Sequence, residues 1–211
     1  MNIVVIPARG GSKRIPHKNI KPFCGKPMIA YSIEAAKSSG LFDHIIVSTD
    51  DDDIARISLQ YGAEVPFKRP AEISDDYTGT AAVVKHALKW CITNIGQVNY
   101  VSTLYATAPF IGPQDIMTGF KLLKSGGCEM TLTVTSFSFP IQRAIKIAAN
   151  GSVSMFQPEN FSARSQDLED AYHDAGQLYW ATSNAVLKDL SAFTNVAKAQ
   201  ILPRYKVQDI D

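Results

Sequence analysis

The residues with the clearest chemical potential lie in one short run near the start of the chain. Pro7-Ala8-Arg9-Gly10-Gly11-Ser12-Lys13-Arg14-Ile15-Pro16-His17-Lys18-Asn19 combines two glycines, a hydroxyl and spaced cations. Glycines let a backbone pass close to a ligand and turn its N–H groups inward. Arg9, Lys13 and Lys18 add cationic donors, and Ser12 adds a hydroxyl. These are the groups needed to hold a triphosphate and to neutralise the charge that grows as pyrophosphate leaves. The spacing matches neither G-x-x-x-x-G-K-[ST] nor G-x-G-x-x-G. A solvated basic turn has the same composition, so composition alone leaves both readings open.

A second constellation closes the chain. Asp209 and Asp211 are one residue apart. In extended backbone both could face a cation, and Mg²⁺ in phosphate chemistry takes one or two carboxylates plus phosphate oxygens. A frayed acidic tail is the plain alternative. The run Asp50-Asp51-Asp52-Asp53 reads mainly as helix capping, because acids are favoured at a helix N-terminus. Asp50, at the end of a strand, is the exception to watch.

The elements that must position these groups follow from periodicity. Ile3-Val4-Val5-Ile6 is a short apolar, β-branched run and reads as a buried parallel strand. The phosphate-binding candidate follows it directly, where open α/β sheets bind ligands. Pro27 suits the first turn of a helix carrying Ile29, Ile33 and Ala36 and closed by Gly40. Residues 44–49 and 100–104 read as strands. A helix over 80–92 places Val84, Leu88 and Cys91 on one face with Ala81 and Ala87 beside them. Ile116, Phe120 and Leu123 mark another helix, and residues 131–134 another strand. This alternation predicts an α/β fold with a largely parallel sheet. Beyond Phe137 the rhythm changes. Ile145-Lys146-Ile147, Asn150-Gly151 and Val153-Ser154-Met155 read as a hairpin. Residues 158–174 are polar and irregular, Tyr179 and Trp180 alternate in a strand, and a weak helical pattern returns near 184–190.

Bulk properties narrow the partner class. The chain has 211 residues, 45% hydrophobic and 19% charged, with a net charge of +1. No global field argues for nucleic acid or membrane. Yet the six basic residues Arg9, Lys13, Arg14, Lys18, Lys21 and Lys26 precede the first acid, Glu34. A local positive field on a near-neutral protein suits a small anionic ligand. Cys24, Cys91 and Cys128 form no C-x-x-C pair. Sparse thiols and an N-terminal apolar run too short for a signal peptide predict a cytoplasmic protein.

The ordered motifs resemble those of the CMP-acylneuraminate synthetases, a family of sugar nucleotidyltransferases. The run I-P-A-R-G-G-S-K-R-I-P-H-K-N-I-K is similar to the family's nucleotide-binding signature. Ile46-Val47-Ser48-Thr49-Asp50 resembles its second strand, and Lys68-Arg69-Pro70-Ala71-Glu72 its R-P-x-x-[LI] element. Thr78-Gly79-Thr80 resembles the helix start near the nucleotide, and Asp209-Ile210-Asp211 the D-x-D near the C-terminus. The resemblance implies a Rossmann-like nucleotidyltransferase fold, a mostly parallel mixed sheet flanked by helices. It implies one domain over 1–211, with a dimerisation insertion at about 137–172, and hence a homodimer. It implies CTP held by Ala8, Arg9, Gly10, Gly11, Ser12, Lys13, Asn19, Arg69 and Thr80. Catalytic roles fall to Arg9, Lys13, Lys18 and Asp211, with Mg²⁺ on Asp209 and Asp211.

The sugar is narrowed by departures from the family pattern. Sialate enzymes carry L-Q-P-T-S-P-L-R where this chain has Leu104-Tyr105-Ala106-Thr107-Ala108-Pro109-Phe110-Ile111. Tyr105 stands for Gln, Ala108 for Ser and Ile111 for Arg. Downstream, Ala175-Gly176-Gln177-Leu178-Tyr179 stands where sialate enzymes have N-G-A-I-Y. This combination resembles the branch that uses pseudaminic acid, an acidic nine-carbon sugar with two acylamino groups and a methyl. A less polar site leaves fewer buried polar groups unpaired against such a ligand. Tyr105, Arg164, Gln166 and Tyr179 are the expected sugar contacts, Arg164 for the carboxylate. His173, beside Asp174, is disfavoured as catalytic because neighbours in a strand face opposite ways. N-acetylneuraminic or legionaminic acid as the sugar, and a nucleotide-binding module without turnover, are the competing readings.

Overall fold

The computed structural model describes residues 1–210. Its sheet is built from β1 (Asn2–Pro7), β4 (His44–Ser48), β5 (Tyr100–Leu104), β6 (Met130–Ser136), β9 (Tyr172–Thr182) and β10 (Ala197–Ile201). The spatial order is β10-β6-β9-β5-β1-β4. β1 pairs parallel with β4 and β5, and β10 parallel with β6. β9 lies antiparallel between β5 and β6. This is the expected mixed, mostly parallel α/β sheet, and helices cover both faces.

Alternation along β1 shows why its sequence is apolar throughout. Val4 and Ile6 face one core, with Ile29 and Ile33 of α1 (Met28–Ser39), Ile54 of α2 (Asp52–Gln60) and Ile116 of α4 (Pro113–Lys124). Ile3 and Val5 face the other, with Val84, Ala87, Leu88 and Cys91 of α3 (Thr80–Asn94). A strand buried on both faces has no polar side to display. α1 begins immediately after Pro27, which ends the short β3 (Lys26–Pro27), paired with β2 (Pro22–Phe23). It ends where Gly40 adopts φ 65, a left-handed conformation that glycine takes without a Cβ penalty.

Trp180 is fully buried among α4 and the sheet. Its indole N–H donates to the Ile116 carbonyl at 3.1 Å, and its ring stacks on Phe42. Of the alternating pair, Trp180 is therefore the core member. Truncating a tryptophan so packed costs about 3–5 kcal/mol in general.

Several expectations need correction. On α3, Val83 is buried and Ala81 is exposed at the mouth of a cavity. The weak helix near 184–190 is one short α5 (Ser183–Leu187), left through Asp189 at φ 54. β10, Ala197-Lys198-Ala199-Gln200-Ile201, was not anticipated: its apolar residues do alternate, yet the polar Gln200 is the buried member and Ile201 is exposed. The hairpin of β7 (Ile145–Ile147) and β8 (Val153–Met155) forms as expected, Gly151 turning at φ 82. The end of the stretch read as irregular, from Tyr172, already belongs to β9.

The cysteines give a direct test of this packing. Burial pushes the Cys91 thiol up to about 11, whereas Cys24 is exposed. Because the thiolate is the reactive form, a thiol reagent at pH 8 should modify Cys24 in the native protein. Cys91 should react only in denaturant, as read by peptide mass mapping.

Candidate active site

The carboxyl ends of β1, β4 and β5 converge on one edge of the sheet. The Ala8 amide donates to the Ser48 carbonyl at 3.0 Å, which ties the basic loop to the end of β4. The Gly10 amide donates to Asp50 Oδ1 at 3.0 Å. The Asn19 side chain is buried and its Nδ2 donates to the Arg9 carbonyl at 2.9 Å. Asp50 thus acts as a brace for the loop rather than as a helix cap. Asp51 is the helix cap, accepting the Ile54 amide at 2.9 Å.

Glycine at position 10 has a steric cause. A Cβ there would lie 2.5 Å from Asp51 Oδ2. Gly11 has open space around it. The Gly10 amide, read from sequence as a free donor, is engaged by Asp50. What the loop presents is mainly its cations and the Ser12 hydroxyl. Ser12 Oγ is buried without a hydrogen-bond partner, unusual for a hydroxyl.

Two hollows of about 230 Å³ each lie along this edge. One is lined by Arg9, Lys18, Asn19, Arg69, Thr80 and Tyr105 among others. The other is lined by Arg9, Ser12, Lys13, Arg14, Lys18 and Asp76. Arg69 reaches the first because its segment runs along the outer edge of β4, bridging Thr49 to Lys68. It is 6% exposed, and its guanidinium donates to the Ser48 carbonyl and, at 3.1 Å, to Ser48 Oγ. Burial lowers its pKa from the usual arginine range. The N-terminus of α3 also opens here, and Gly79 gives it no side-chain cap. Its N–H groups favour negative charge.

Sequence reasoning missed Asp76. Its carboxylate pairs with Lys13 and, at 2.7 Å, with Arg9. Its pKa is lowered from the usual carboxylate value, first through the hydrogen bond to Lys13, with Arg9 adding to it. Neighbouring Asp75 shapes the turn, accepting the Tyr77 and Thr78 amides at 3.0 and 2.6 Å, while its carbonyl accepts from Arg9 at 2.8 Å. The Asp-Asp-Tyr-Thr-Gly-Thr string hints at a turn before a helix. Nothing in it tells that the acid meets cations some sixty residues earlier.

A third cavity, of about 390 Å³, adjoins the first hollow and shares Thr80 and Tyr105 with it. The Thr80 and Tyr105 hydroxyls hydrogen-bond at 3.1 Å. The Tyr179 hydroxyl donates to Asp174 Oδ2 at 2.5 Å, and burial raises its pKa. Beyond this polar corner the walls are largely apolar, including Val84, Met130, Val186 and Phe193. The fold thus brings Tyr105 and Tyr179 together, ring centroids 6.0 Å apart. It places Arg164 and Gln166 elsewhere, exposed in the 137–172 segment, with Arg164 3.4 Å from Asp167. His173 is exposed too, its ring against Phe137.

The C-terminal segment returns to the basic loop. Lys18 Nζ donates to the Ile210 carbonyl at 3.1 Å. Lys206 pairs with Asp115 at 2.9 Å, and the Lys206 carbonyl accepts from Gln177 Nε2 at 3.1 Å. Asp209 is exposed next to this anchored stretch. Asp211 lies outside the described residues. Among the described residues no three His, Cys, Asp or Glu side chains gather as a metal cage. Mg²⁺ at phosphates typically takes only one or two protein carboxylates. Asp209 is exposed one residue before Ile210, whose carbonyl Lys18 holds, and one exposed carboxylate is compatible with such a site.

The cytidylyltransferase family profile matches residues 3–208, and the chain belongs to that family of nucleotidyltransferases. A pseudaminic acid cytidylyltransferase of Campylobacter jejuni is 43% identical over 210 residues, covering 100% of this chain and 90% of its own. A CMP-N,N'-diacetyllegionaminic acid synthase of Legionella pneumophila is 32% identical, covering 95% and 86%. Among solved structures, a CMP:2-keto-3-deoxy-manno-octonic acid synthetase complexed with CTP superposes with a TM-score of 0.70 at 15% identity. It covers 95% of this chain and 89% of that one, a likeness of fold.

Asp76 occupies cations that a phosphate chain would need, so the two compete. Its folded pKa is depressed, so the ion pairs are present above the usual carboxylate range and fade only as pH falls through the lowered value. Asp76→Asn should therefore tighten inorganic pyrophosphate at pH 7 by roughly two- to fivefold, the scale of an exposed pair, with the gain shrinking in high salt. Titration calorimetry reads this directly.

Proposed function

We propose that this chain transfers CMP from CTP to the anomeric hydroxyl of pseudaminic acid, forming CMP-pseudaminic acid and pyrophosphate. The observation that carries the reading is the junction of two unlike spaces. A cation-lined cleft meets a largely apolar cavity at Thr80 and Tyr105. A nucleotide and a sugar rich in acyl and methyl groups would meet at that junction. The 43% identity to the Campylobacter enzyme supports the same reading.

In this scheme Arg9, Lys13 and Lys18 hold the triphosphate, displacing Asp76 from Arg9 and Lys13. The Ser12 hydroxyl gains a phosphate partner. Gly10 and Gly11 keep the loop backbone close to the phosphates, and Ala8 and Asn19 fix where it starts and ends. Arg69 and the N-terminus of α3 supply positive potential from the opposite wall. Fixed cations stabilise the charge that develops on the departing pyrophosphate without reorganising at the moment of reaction. Alignment of the sugar hydroxyl with the α-phosphate supplies much of the remaining rate. Mg²⁺, held by Asp209 and Asp211, would add Lewis-acid stabilisation of phosphate charge.

Arg164 and Gln166 are sugar contacts in this reading, and within one chain they lie outside the cavity. They serve it if the arm of a second copy reaches over. The same segment exposes Phe139, Ile145, Ile147, Phe156 and Phe161, apolar side chains that a second copy would cover. A homodimer is thus part of the proposal. Light scattering at micromolar concentration should return twice the chain mass; a monomer counts against it. A cytoplasmic site of action completes the reading, in keeping with three free cysteines. No helix among the described residues is long and apolar enough to cross a membrane.

The reaction is tested by pyrophosphate release from CTP with pseudaminic, legionaminic and N-acetylneuraminic acids in parallel. Pseudaminic acid should give the highest kcat/KM. Preference for N-acetylneuraminic acid would overturn the sugar assignment, and CTP binding without release from any sugar would mark a non-catalytic module.

A further inference from the structure

The irregular middle of β9 aims two polar groups into the apolar cavity. β9 pairs with β6 through Asp174 opposite Val134 and Tyr179 opposite Leu132. Two steps along β6 therefore answer to five along β9. In a regular strand, residues five apart face opposite sides. The additional residues form a bulge in which Gly176 adopts φ 62 and its amide donates to Asp174 Oδ1 at 3.0 Å. Such bulges re-aim side chains beside active sites. Here Asp174 and Tyr179 both line the cavity and share the 2.5 Å hydrogen bond.

The charge balance of this cavity is distinctive. Its lining includes the carboxylates of Asp174 and Asp189 and no Lys, Arg or His, and Asp189 is paired with Lys85 just outside that lining. A carboxylate only accepts hydrogen bonds, and its two oxygens have capacity for more than the Gly176 amide and the Tyr179 hydroxyl. Asp174, with no cation in the lining beside it, therefore repels the sugar's own carboxylate. Its acceptor oxygens favour a donor, and the apolar walls favour a donor carried next to apolar atoms. An acylamino group has that form, an N–H beside a methyl.

We propose that Asp174 accepts a hydrogen bond from the N–H of one acylamino substituent of the acceptor sugar, with the acyl methyl directed toward Phe193 and Val186. This deepens, and rests on, the reading of the cavity as the sugar site. It assigns the sugar's direction: acylamino group inward at Asp174, carboxylate outward toward the cations. It makes Asp174 a specificity residue, with Tyr179 holding the carboxylate in place.

The test is steady-state kinetics with CTP and the N-acylated acceptor for Asp174→Leu, Asp174→Asn, Tyr179→Phe and the Asp174→Leu/Tyr179→Phe double variant. Loss of a hydrogen bond to a charged group predicts a sugar KM raised about 10- to 100-fold in Asp174→Leu, with the KM for CTP unchanged. Asp174→Asn keeps an acceptor oxygen and should fall between wild type and Asp174→Leu. The double variant should be worse than Tyr179→Phe alone. A sugar analogue with an N-methylated amide, which has no N–H, should lose a similar factor on the wild-type protein, so the result does not depend on any variant folding. Equal defects in Asp174→Leu, Tyr179→Phe and the double variant would reduce Asp174 to a support for Tyr179 and overturn the inference. So would a parallel rise in the KM for CTP, or full activity with the N-methylated amide. Absence of turnover with every acidic nine-carbon sugar would overturn the parent reading instead.

Discussion

A group of cations at the end of a buried strand must be kept apart and aimed before any anion arrives. The basic loop has no regular structure of its own, so its shape comes from acids and carbonyls around it. Asp50 takes the Gly10 amide, Asn19 takes the Arg9 carbonyl, and Asp76 takes Arg9 and Lys13. Without these partners, mutual repulsion would splay the cations into solvent. With them, the loop is held as a shallow cationic bowl. The α2 cap at Asp51 sits so close behind it that only glycine fits at position 10. Capping a helix and shaping the ligand loop are thus one packing problem.

The same edge of the sheet joins this bowl to a space of opposite character. Because β9 enters antiparallel between β5 and β6, its side chains add a wall to the cavity below α3. Its bulge then places Asp174 and Tyr179 at the polar end of that wall. The polar junction at Thr80 and Tyr105 separates a region suited to phosphates from one suited to methyl groups. A reaction between a polyanion and a partly apolar sugar requires such a boundary, since each half would be poorly solvated in the other's place.

Much of the α/β frame was legible from periodicity. The β1 run, the helix closed by Gly40 and the helix beginning at Thr80 all follow from local spacing. β10 was not, because its short alternation of small apolar and polar residues is weak, and the sheet buries Gln200 while leaving Ile201 exposed. Ala81 was misassigned because helical spacing finds a stripe, not which edge of the stripe meets an empty cavity. Among site residues, Arg9, Lys13, Asn19, Arg69, Thr80 and Tyr105 share adjoining hollows, as their motif order suggested. Asp76 and Asp174 were passed over, since their importance comes from partners that sequence distance hides.

The first loop marks the division. Its residue types and its place directly after a buried strand determined that a phosphate chain could bind after β1, although the same residues would also make a solvated turn. Tertiary structure decided that Asp50 braces the loop through the Gly10 amide, and that Asp76 guards the cations. It also decided that a bulge in β9 turns Asp174 and Tyr179 to one side. Local sequence sets which backbone conformations are accessible. Only packing across the sheet fixes which charges end up face to face.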